Sequence, residues 1–204
     1  MVQHGTRGVI GEPTKLNVVY AHKGVCGLVA TSRGRAAHSS TREGKNANLA
    51  MIPYLVEMKA IYDDTERDPA WRQAEFDPPT VCWNIGINDH TRATNITPPQ
   101  SICTVYFRVM PGQDANVLIE RARRAATANG LEFEVRINAR PLYIDPKAAP
   151  MSVERWNWPV AKRRRRSRTG QYGAMLGALE HMIVCGPGTS RRPTRTMSGS
   201  RSTR

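Results

Sequence analysis

The stretch "SICTVYFRV", residues 101–109, has the alternation of a half-buried β-strand. Its side chains divide into two sets, Cys103, Val105, Phe107 and Val109 against Ile102, Thr104, Tyr106 and Arg108. Because successive side chains of a strand point to opposite faces, the first set predicts a face packed on a core. The second set predicts a more polar face that includes an arginine.

Three more segments have strand character. "VCWNIGIN" (81–88) and "LEFEVRI" (131–137) alternate apolar with polar or small residues, whereas "KGVCGLVATSRG" (23–34) is looser and punctuated by glycine. Runs of this kind, rich in valine, isoleucine and aromatic residues, are typical of half-buried strands. The sequence therefore predicts four strands in this region.

Two helices are predicted between these strands. Residues 46–64 place Leu49, Ile52 and Val56 at the i, i+3, i+7 spacing of a helix, although Pro53 should kink or delay it.

The second helix should span residues 114–128, since Asp114 is a good N-cap and Asn129-Gly130 a good C-terminal stop. The resulting order is strand, helix, strand, strand, helix, strand. This order predicts an α+β, ferredoxin-like (βαββαβ) plait with an antiparallel sheet and both helices on one face.

The positive charge of the chain is unevenly distributed. The 204 residues carry a formal charge of +13, which suggests an acidic partner such as nucleic acid. Residues 1–153 hold 18 basic against 15 acidic residues, however, and residues 154–204 hold 12 against 2. The first three quarters of the chain therefore resemble an ordinary, nearly neutral globular protein.

Neither a membrane span nor a signal peptide is expected, because there is no run of 18 apolar residues and the N-terminal "MVQHGTRGVIGEPT" lacks an apolar core. A cytoplasmic protein is predicted.

The four cysteines, Cys26, Cys82, Cys103 and Cys185, are widely spaced without a CxxC pair. Free thiols are favoured over a metal or disulfide role.

The two ends of the chain differ from the predicted plait. "GVIGEPT" (8–14) indicates the end of a strand followed by a turn, and "YGAMLGALEHMIVCGPG" (172–188) indicates a short helix. The basic run "KRRRRSR" (162–168) precedes that helix. Residues 189–204 have no apolar periodicity and should be disordered.

Six short motifs occur in the order and spacing of one enzyme family. They are "GEPT" (11–14), "AHKG" (21–24), "GRAAHSS" (34–40), "GKNA" (44–47), "TNITP" (94–98) and "FRVMPG" (107–112). In this the chain resembles the zinc-dependent amidohydrolases and exopeptidases that include acetylornithine deacetylase, succinyl-diaminopimelate desuccinylase, aminoacylase and carboxypeptidase G. Each motif alone is weak, whereas six in register are specific.

The resemblance implies an α/β catalytic domain that binds two zinc ions, or cobalt in their place, with an inserted ferredoxin-like lid that forms the homodimer. On this basis residues 1–20 should be a remnant of the catalytic domain and residues 21–140 the lid. Residues 141–188 should be a damaged catalytic segment, and residues 189–204 a basic tail.

The resemblance also implies roles for four residues. Glu12 matches a metal ligand, and His38 matches a histidine that reaches from one subunit into the active site of the other to stabilise an oxyanion. Asn95 and Arg108 match residues that hold the polar atoms and carboxylate of the substrate. A guanidinium suits a carboxylate because it donates two parallel hydrogen bonds.

Each assignment has a simpler alternative. Glu12 before a proline is often only a turn residue, His38 could be an ordinary loop histidine, and Arg108 could be a solvated arginine on a sheet. Asn46 and Gly44 are expected to shape their loop. His22 and Lys23 are expected at the start of a strand without a chemical role.

The chain also departs from the family pattern. The His-x-Asp and Glu-Glu pairs of the family would precede residue 1, and no histidine follows "CGPG" (185–188). One carboxylate cannot hold two zinc ions, so the chain is expected to be an inactive fragment that does not retain zinc. Its arginine-rich stretches suggest out-of-frame translation.

Two other functions remain open at this point. The chain could be a non-catalytic homodimerisation module, or a protein that binds nucleic acid non-specifically through residues 162–168. The enzyme hypothesis predicts a small N-acyl amino acid as substrate and no membrane partner.

Overall fold

The computed structural model describes residues 7–11, 13–15, 18–143, 164–167 and 181–188. These residues form nine β-strands and two α-helices. The strands are β1 (Arg7–Ile10), β2 (Val18–His22), β3 (Val25–Arg33), β4 (Cys82–Asn88), β5 (Gln100–Arg108), β6 (Glu132–Ala139), β7 (Leu142–Tyr143), β8 (Arg164–Ser167) and β9 (His181–Val184). The helices are α1 (Ala47–Arg67) and α2 (Ala115–Ala128), with a short 3₁₀ turn at Pro69–Trp71.

Strands β3, β4, β5 and β6 form a four-stranded antiparallel sheet in the order β4–β5–β3–β6. The central pair β3 and β5 is in continuous register from Cys26 opposite Phe107 to Arg33 opposite Gln100. Helix α1 follows β3 and α2 follows β5, so the predicted βαββαβ order is confirmed. We refer to this unit, residues 25–139, as the plait.

The predicted alternation of β5 is also confirmed. Cys103, Val105 and Phe107 are buried beneath the helices, whereas Thr104 is exposed on the opposite, open face of the sheet. Trp83 of β4 stacks on Phe107, with ring centroids 4.7 Å apart and planes inclined by 28°. Aromatic pairs of this kind contribute about 0.5–1.5 kcal/mol beyond the apolar area they bury.

Helix α1 begins at the Asn46 cap, whose side chain accepts a hydrogen bond from the Asn48 amide at 2.9 Å. It continues through Pro53 to Arg67 without the predicted delay. One stripe faces the sheet and comprises Ala47, Met51, Tyr54, Met58, Ile61 and Thr65.

The apolar residues whose spacing predicted α1 lie on the outer face of the helix. Leu49, Ile52 and Val56 are 67%, 53% and 67% exposed. The periodicity thus identified the helix correctly, but a second stripe with the same period forms the core.

Helix α2 begins after Asp114, whose carboxylate accepts from the Asn116 amide at 2.9 Å. It ends at Asn129, and Gly130 follows with φ +67°, a conformation that glycine adopts without strain. Arg121 of α2 contacts Glu57 and, at 2.5 Å, Asp64 on α1.

Neither described helix combines the length and apolarity that a membrane crossing requires.

A second sheet of five short strands, the small sheet, is built from the chain on either side of the plait. Strand β1 pairs in parallel with β9, and β9 pairs with β2 at Val19. Strand β2 also pairs with β7 and, in parallel, with β8. The strand predicted at the end of "GVI" is confirmed as β1.

The helix predicted over residues 172–188 is wrong at His181–Val184, which form β9 instead. Isoleucine and valine side by side favour a strand, and β1 provides the pairing partner. Residues 172–180 and 189–204 lie outside the described residues, as do the ends of the basic run. Within that run, Arg164–Ser167 form β8.

The four cysteines form no disulfide with one another. Cys26 and Cys103 are buried in the plait, and burial raises the pKa of Cys26 to about 12 and that of Cys103 to about 11. Thiols with such pKa values remain protonated at neutral pH and are poor nucleophiles. Cys82 and Cys185 are only partly buried.

Candidate functional site

His38 lies in the loop between β3 and α1. The loop is closed at its base by Arg35 and Lys45, whose backbones exchange hydrogen bonds of 2.8 and 3.0 Å. Gly34 occupies a tight position there, because a Cβ atom at this residue would collide with the Lys45 carbonyl. A turn follows at His38, whose carbonyl accepts from the Thr41 amide at 2.9 Å.

A second loop, residues 89–99, holds the first in place. The Ser39 amide donates to the Asn95 carbonyl at 2.8 Å, and the Thr97 amide donates to the Ala37 carbonyl at 2.9 Å. Gly44 packs so closely on the Thr97 side chain that a Cβ atom would not fit. This close packing fits the loop-shaping role predicted for Gly44, whereas Asn46 caps the start of α1.

The imidazole of His38 is exposed at the tip of these loops. Its Nδ1 atom accepts from the Ser40 amide at 3.3 Å and lies 2.7 Å from the Ser40 hydroxyl. A backbone amide can only donate, so this contact favours the neutral tautomer with the proton on Nε2. The Nε2 atom lies 3.4 Å from the side-chain nitrogen of Asn95, and with the proton on Nε2 the Asn95 amide has to turn over and present its oxygen to that atom.

Arg108 lies elsewhere, at the last position of β5 on the open face of the sheet. Its guanidinium donates to the Tyr106 hydroxyl at 3.2 Å and sits 5.7 Å from the centroid of the Tyr106 ring. The side chain is half-buried. These contacts hold the planar donor group in a defined orientation at this end of the sheet.

The structure therefore brings His38 and Asn95 together and separates both from Arg108. The His38 loop joins the sheet beside Gln100, because the Gly34 amide donates to the Pro99 carbonyl at 2.8 Å. The eight steps from Gln100 to Arg108 span roughly 26 Å at the usual rise of a strand. The two predicted parts of the site occupy opposite ends of the plait.

Glu12, the predicted metal ligand, lies outside the described residues. Its neighbour Thr14 is tied to Gly186, since the Thr14 amide donates to the Gly186 carbonyl at 3.2 Å and the Gly186 amide donates to the Thr14 hydroxyl at 3.1 Å. Among the described residues, no group of three or more histidine, cysteine, aspartate or glutamate side chains is arranged to hold a metal ion.

The sequence did not identify Lys23 as a notable residue. It follows β2, as expected for a residue that leads into a strand, but its side chain is only 1% exposed. The ammonium group donates to the carbonyls of Pro78 and Thr80. Residues 76–81 have no periodic pattern, so nothing in the sequence indicated that they would enclose a charge.

The family assignment follows from sequence comparison. Residues 20–134, more than half of the chain, match the family described as the M20 peptidase dimerisation domain. The chain belongs to this family. The match covers the whole described plait except the last residues of β6.

Two relatives illustrate how much of an M20 protein this chain comprises. It is 32% identical over 146 residues to an Aspergillus flavus protein named "Probable carboxypeptidase", covering 67% of this chain and 34% of the relative. It is 28% identical over 133 residues to acetylornithine deacetylase of Myxococcus xanthus, covering 63% and 34%. The chain spans about a third of the length of these relatives.

Solved structures of other proteins share the fold. The crystal structure of aminopeptidase PepT from Bacillus cereus superposes with a TM-score of 0.62 at 14% identity, covering 88% of this chain and 48% of that one. At this identity the similarity shows the fold alone. The superposed region, 88% of this chain, extends beyond the plait, because residues 25–139 make up less of the chain than that.

Proposed function

We propose that this chain is the lid and dimerisation module of a metal-dependent hydrolase that cleaves the amide bond of N-acyl amino acids or related peptides, an activity like that of acetylornithine deacetylase. The alternative is a homodimerisation module without catalysis. The main support for the proposal is the separation of the His38–Asn95 pair from Arg108, which lie at opposite ends of the plait.

One small substrate cannot contact both ends of the plait in a single copy. An N-acyl amino acid spans about two residues, or roughly 7 Å when extended, which is far less than the roughly 26 Å length of β5. If all three residues serve one substrate, they must come from two copies. We therefore assign Arg108 to the site of its own subunit, and His38 and Asn95 to the site of the partner.

In this arrangement each residue has a distinct task. Arg108 holds the substrate carboxylate with its fixed guanidinium, and Asn95 binds a polar backbone atom of the substrate. The Nε2–H group of His38 donates to the oxyanion that develops when the amide carbonyl is attacked. The exposure of His38 at a loop tip suits a residue that reaches out of its own subunit.

A metal centre, with zinc as the proposed ion, would polarise the amide carbonyl and activate water. Glu12 is proposed as one ligand. The described residues do not provide a complete donor set, because a catalytic zinc takes about three protein ligands. The other ligands of the proposed enzyme would therefore come from outside the described residues, and the chain by itself is proposed to be inactive.

The surface proposed for the homodimer lies along α1 and β4. Asn48 near the start of α1 donates to the Asp89 carboxylate just after β4 at 2.9 Å, and Trp83 near the start of β4 donates to Thr65 at 2.9 Å near the end of α1. Helix and edge strand therefore run side by side in opposite directions. Their exposed apolar residues are Leu49, Ile52, Val56 and Ile87.

This surface suits a second copy of the chain. Strand β4 is an edge strand, and unpaired backbone groups on an edge pair readily with another strand. Across a two-fold axis, β4 would meet its own copy and the exposed stripe of α1 would meet the same stripe. The opposite edge, β6, presents charged side chains such as Glu132 and Glu134 instead.

A chimeric enzyme tests the proposal. Residues 21–140 would replace the corresponding segment of the Myxococcus xanthus acetylornithine deacetylase, which supplies the remaining catalytic parts. The His38→Ala and Arg108→Ala chimeras should each lose deacetylation. A dimer formed from one chain of each kind should regain activity, because one of its two sites then contains both His38 and Arg108.

The mixed dimer separates the two possible arrangements. If His38 acted within its own subunit, every site would lack one of the two residues and no activity would return. The unsubstituted chimera is the positive control, and sedimentation of all chimeras as dimers shows that the substitutions spare assembly. Deacetylation that survives both single substitutions would contradict the proposed roles and leave only dimerisation.

A further inference from the structure

The ammonium group of Lys23 is buried at the junction between the small sheet and the plait. It donates to the Pro78 carbonyl at 2.8 Å and to the Thr80 carbonyl at 2.5 Å, and it lies 5.8 Å from the centroid of the Phe76 ring. A buried charge is tolerated only when polar partners compensate for its lost hydration. The loop of residues 76–81 provides those partners, and it therefore holds the nitrogen atom in a fixed place.

A further contact of this nitrogen is with a sulfur atom. Lys23 Nζ lies 3.3 Å from Cys82 Sγ. Cys82 is the first residue of β4, and its neighbour Trp83 packs against the core. Because side chains alternate along a strand, Cys82 points to the open face, where it is partly exposed. A nucleophilic sulfur thus lies beside a fixed nitrogen and within reach of solutes.

The other three cysteines lack this combination. Cys26 and Cys103 are buried, and their raised pKa values keep them protonated. Cys185 is partly exposed, but no described lysine donates a hydrogen bond to it. Oxidants select cysteines that are exposed and lie close to a cation. Cys82 is the cysteine that meets both conditions within the described part of the chain.

We propose that Lys23 and Cys82 form a modification site, at which a peroxide joins Nζ to Sγ in a reversible covalent cross-link. The proposal does not rest on the hydrolase function. It concerns two residues to which the proposed hydrolase function assigns no role.

The reaction balances with peroxide as the oxidant. The Cys82 thiolate attacks one peroxide oxygen, the O–O bond breaks, and the sulfur is oxidised by two electrons to a sulfenic acid while hydroxide leaves. Hydroxide takes a proton from the Lys23 ammonium group and becomes water. The free amine then attacks the sulfur and an S–N bond forms. The departing hydroxide takes the second proton, so one peroxide yields two waters.

The cross-link would be reversed by thiols. Two equivalents of a thiol reductant would break the S–N bond, restore the Cys82 thiol and the Lys23 amine, and become a disulfide themselves. While it lasts, the bond fixes the start of β4 to the connection between β2 and β3. Cys82 also pairs in register with Arg108, so the modification would sit next to that residue on the sheet.

Peptide mapping of the peroxide-treated chain tests the proposal. Trypsin cleaves after lysine and arginine. An untreated chain therefore gives one peptide that ends at Lys23 and a separate peptide, residues 73–92, that contains Cys82. After treatment without reductant, cleavage after Lys23 should be lost. Residues 16–33 should then appear joined to residues 73–92, with the mass of the two peptides less two hydrogens. A thiol reductant should separate them.

Three variants and one denatured sample complete the experiment. Cys82→Ser and Lys23→Arg should abolish the joined peptide, and the arginine keeps a cation beside the same carbonyls so that the fold is preserved. Cys185→Ser, the matched control, should leave it unchanged. The proposal is overturned if folded, treated protein carries oxidised Cys82 with Lys23 still cleavable, or if urea-unfolded chain gives the same yield of joined peptide.

Discussion

His38 and Asn95 are 57 residues apart in the sequence, yet His38 Nε2 and Asn95 Nδ2 lie 3.4 Å apart at one end of the plait. Two backbone hydrogen bonds, Ser39 to Asn95 and Thr97 to Ala37, hold their loops together independently of either side chain. Substitution of one side chain should therefore leave the loops in place. The pair can be tested without disturbing the fold.

The first prediction concerns the side chain of His38 in the chimeric enzyme. His38→Ala should lower kcat by about 10²–10³, the usual effect of removing one oxyanion donor, with little change in KM. Steady-state kinetics with an N-acyl amino acid provides the measurement.

Ser40→Ala in the same chimera is the matched control for His38→Ala. It removes the hydroxyl near Nδ1 but keeps the backbone amide that favours the reactive tautomer. Its kcat should stay close to that of the unsubstituted chimera. Equal losses in the two variants would show that the imidazole acts through loop structure and not through its Nε2–H group.

The second prediction concerns the exposed stripe of α1. Val56→Asp should convert the dimer to a monomer, because it would place a charge at the centre of an apolar contact between two copies. Val56 is 67% exposed in the single chain, so the melting temperature of the monomer should not fall because of lost packing. Sedimentation velocity at micromolar concentration would show the change in mass.

Val117→Asp is the matched control for the dimer surface. Val117 is a valine on the other helix, α2, and is 58% exposed. The substitution has the same chemistry and a similar exposure, but Val117 is not one of the residues of the proposed dimer surface. The Val117→Asp chain should remain a dimer. If both variants were dimers, the proposed surface would be wrong even if the family assignment stands.

The third prediction concerns the start of α2. Asp114→Ala should lower the free energy of unfolding by about 1 kcal/mol, because the Asn116 amide loses its acceptor at the first turn. Asp114→Asn keeps an acceptor oxygen at the same position and should cost much less. Urea unfolding of the two variants at one pH separates the capping hydrogen bond from a general effect of charge.

Much of the plait could be predicted because its signals are local. The period-two pattern of β5 and the caps Asp114 and Gly130 act within a few residues, and each occurs where the sequence placed it. Which stripe of α1 is buried could not be predicted, since Leu49 and Met51 both belong to apolar rows with the same period. Only the position of the sheet decides between them.

The site was predictable in part for a similar reason. Motif order suggested His38, Asn95 and Arg108 as candidate site residues, but their relative placement depends on the register of β3 and β5, which is a long-range property. Lys23 was missed because its partners, the carbonyls of Pro78 and Thr80, are backbone atoms. Every residue carries such a carbonyl, so no side-chain pattern marks the ones that will surround a charge.

The last prediction concerns pH and the loop that carries Asn95. Hydrogen bonds from the Asn48 side chain and the Thr91 amide lower the pKa of the Asp89 carboxyl below its usual value. A carboxyl with a lowered folded pKa stabilises the fold fully above its unfolded pKa of about 3.9. That contribution is lost as pH falls through the lower folded value. The contact between α1 and the 89–99 loop should therefore weaken in acid.

Amide hydrogen exchange at Thr91 and Thr97, whose amides donate to the Asp89 carboxylate and the Ala37 carbonyl, would measure this weakening between about pH 5 and pH 3, once the intrinsic pH dependence of exchange is corrected. Asp89→Asn keeps an acceptor for the Asn48 and Thr91 donors but cannot ionise, so its protection should not change over this range. Protection in the unsubstituted chain should fall as the carboxylate is protonated, since the neutral acid is a weaker acceptor for both donors. Parallel behaviour of the two proteins would assign the acid sensitivity to another group.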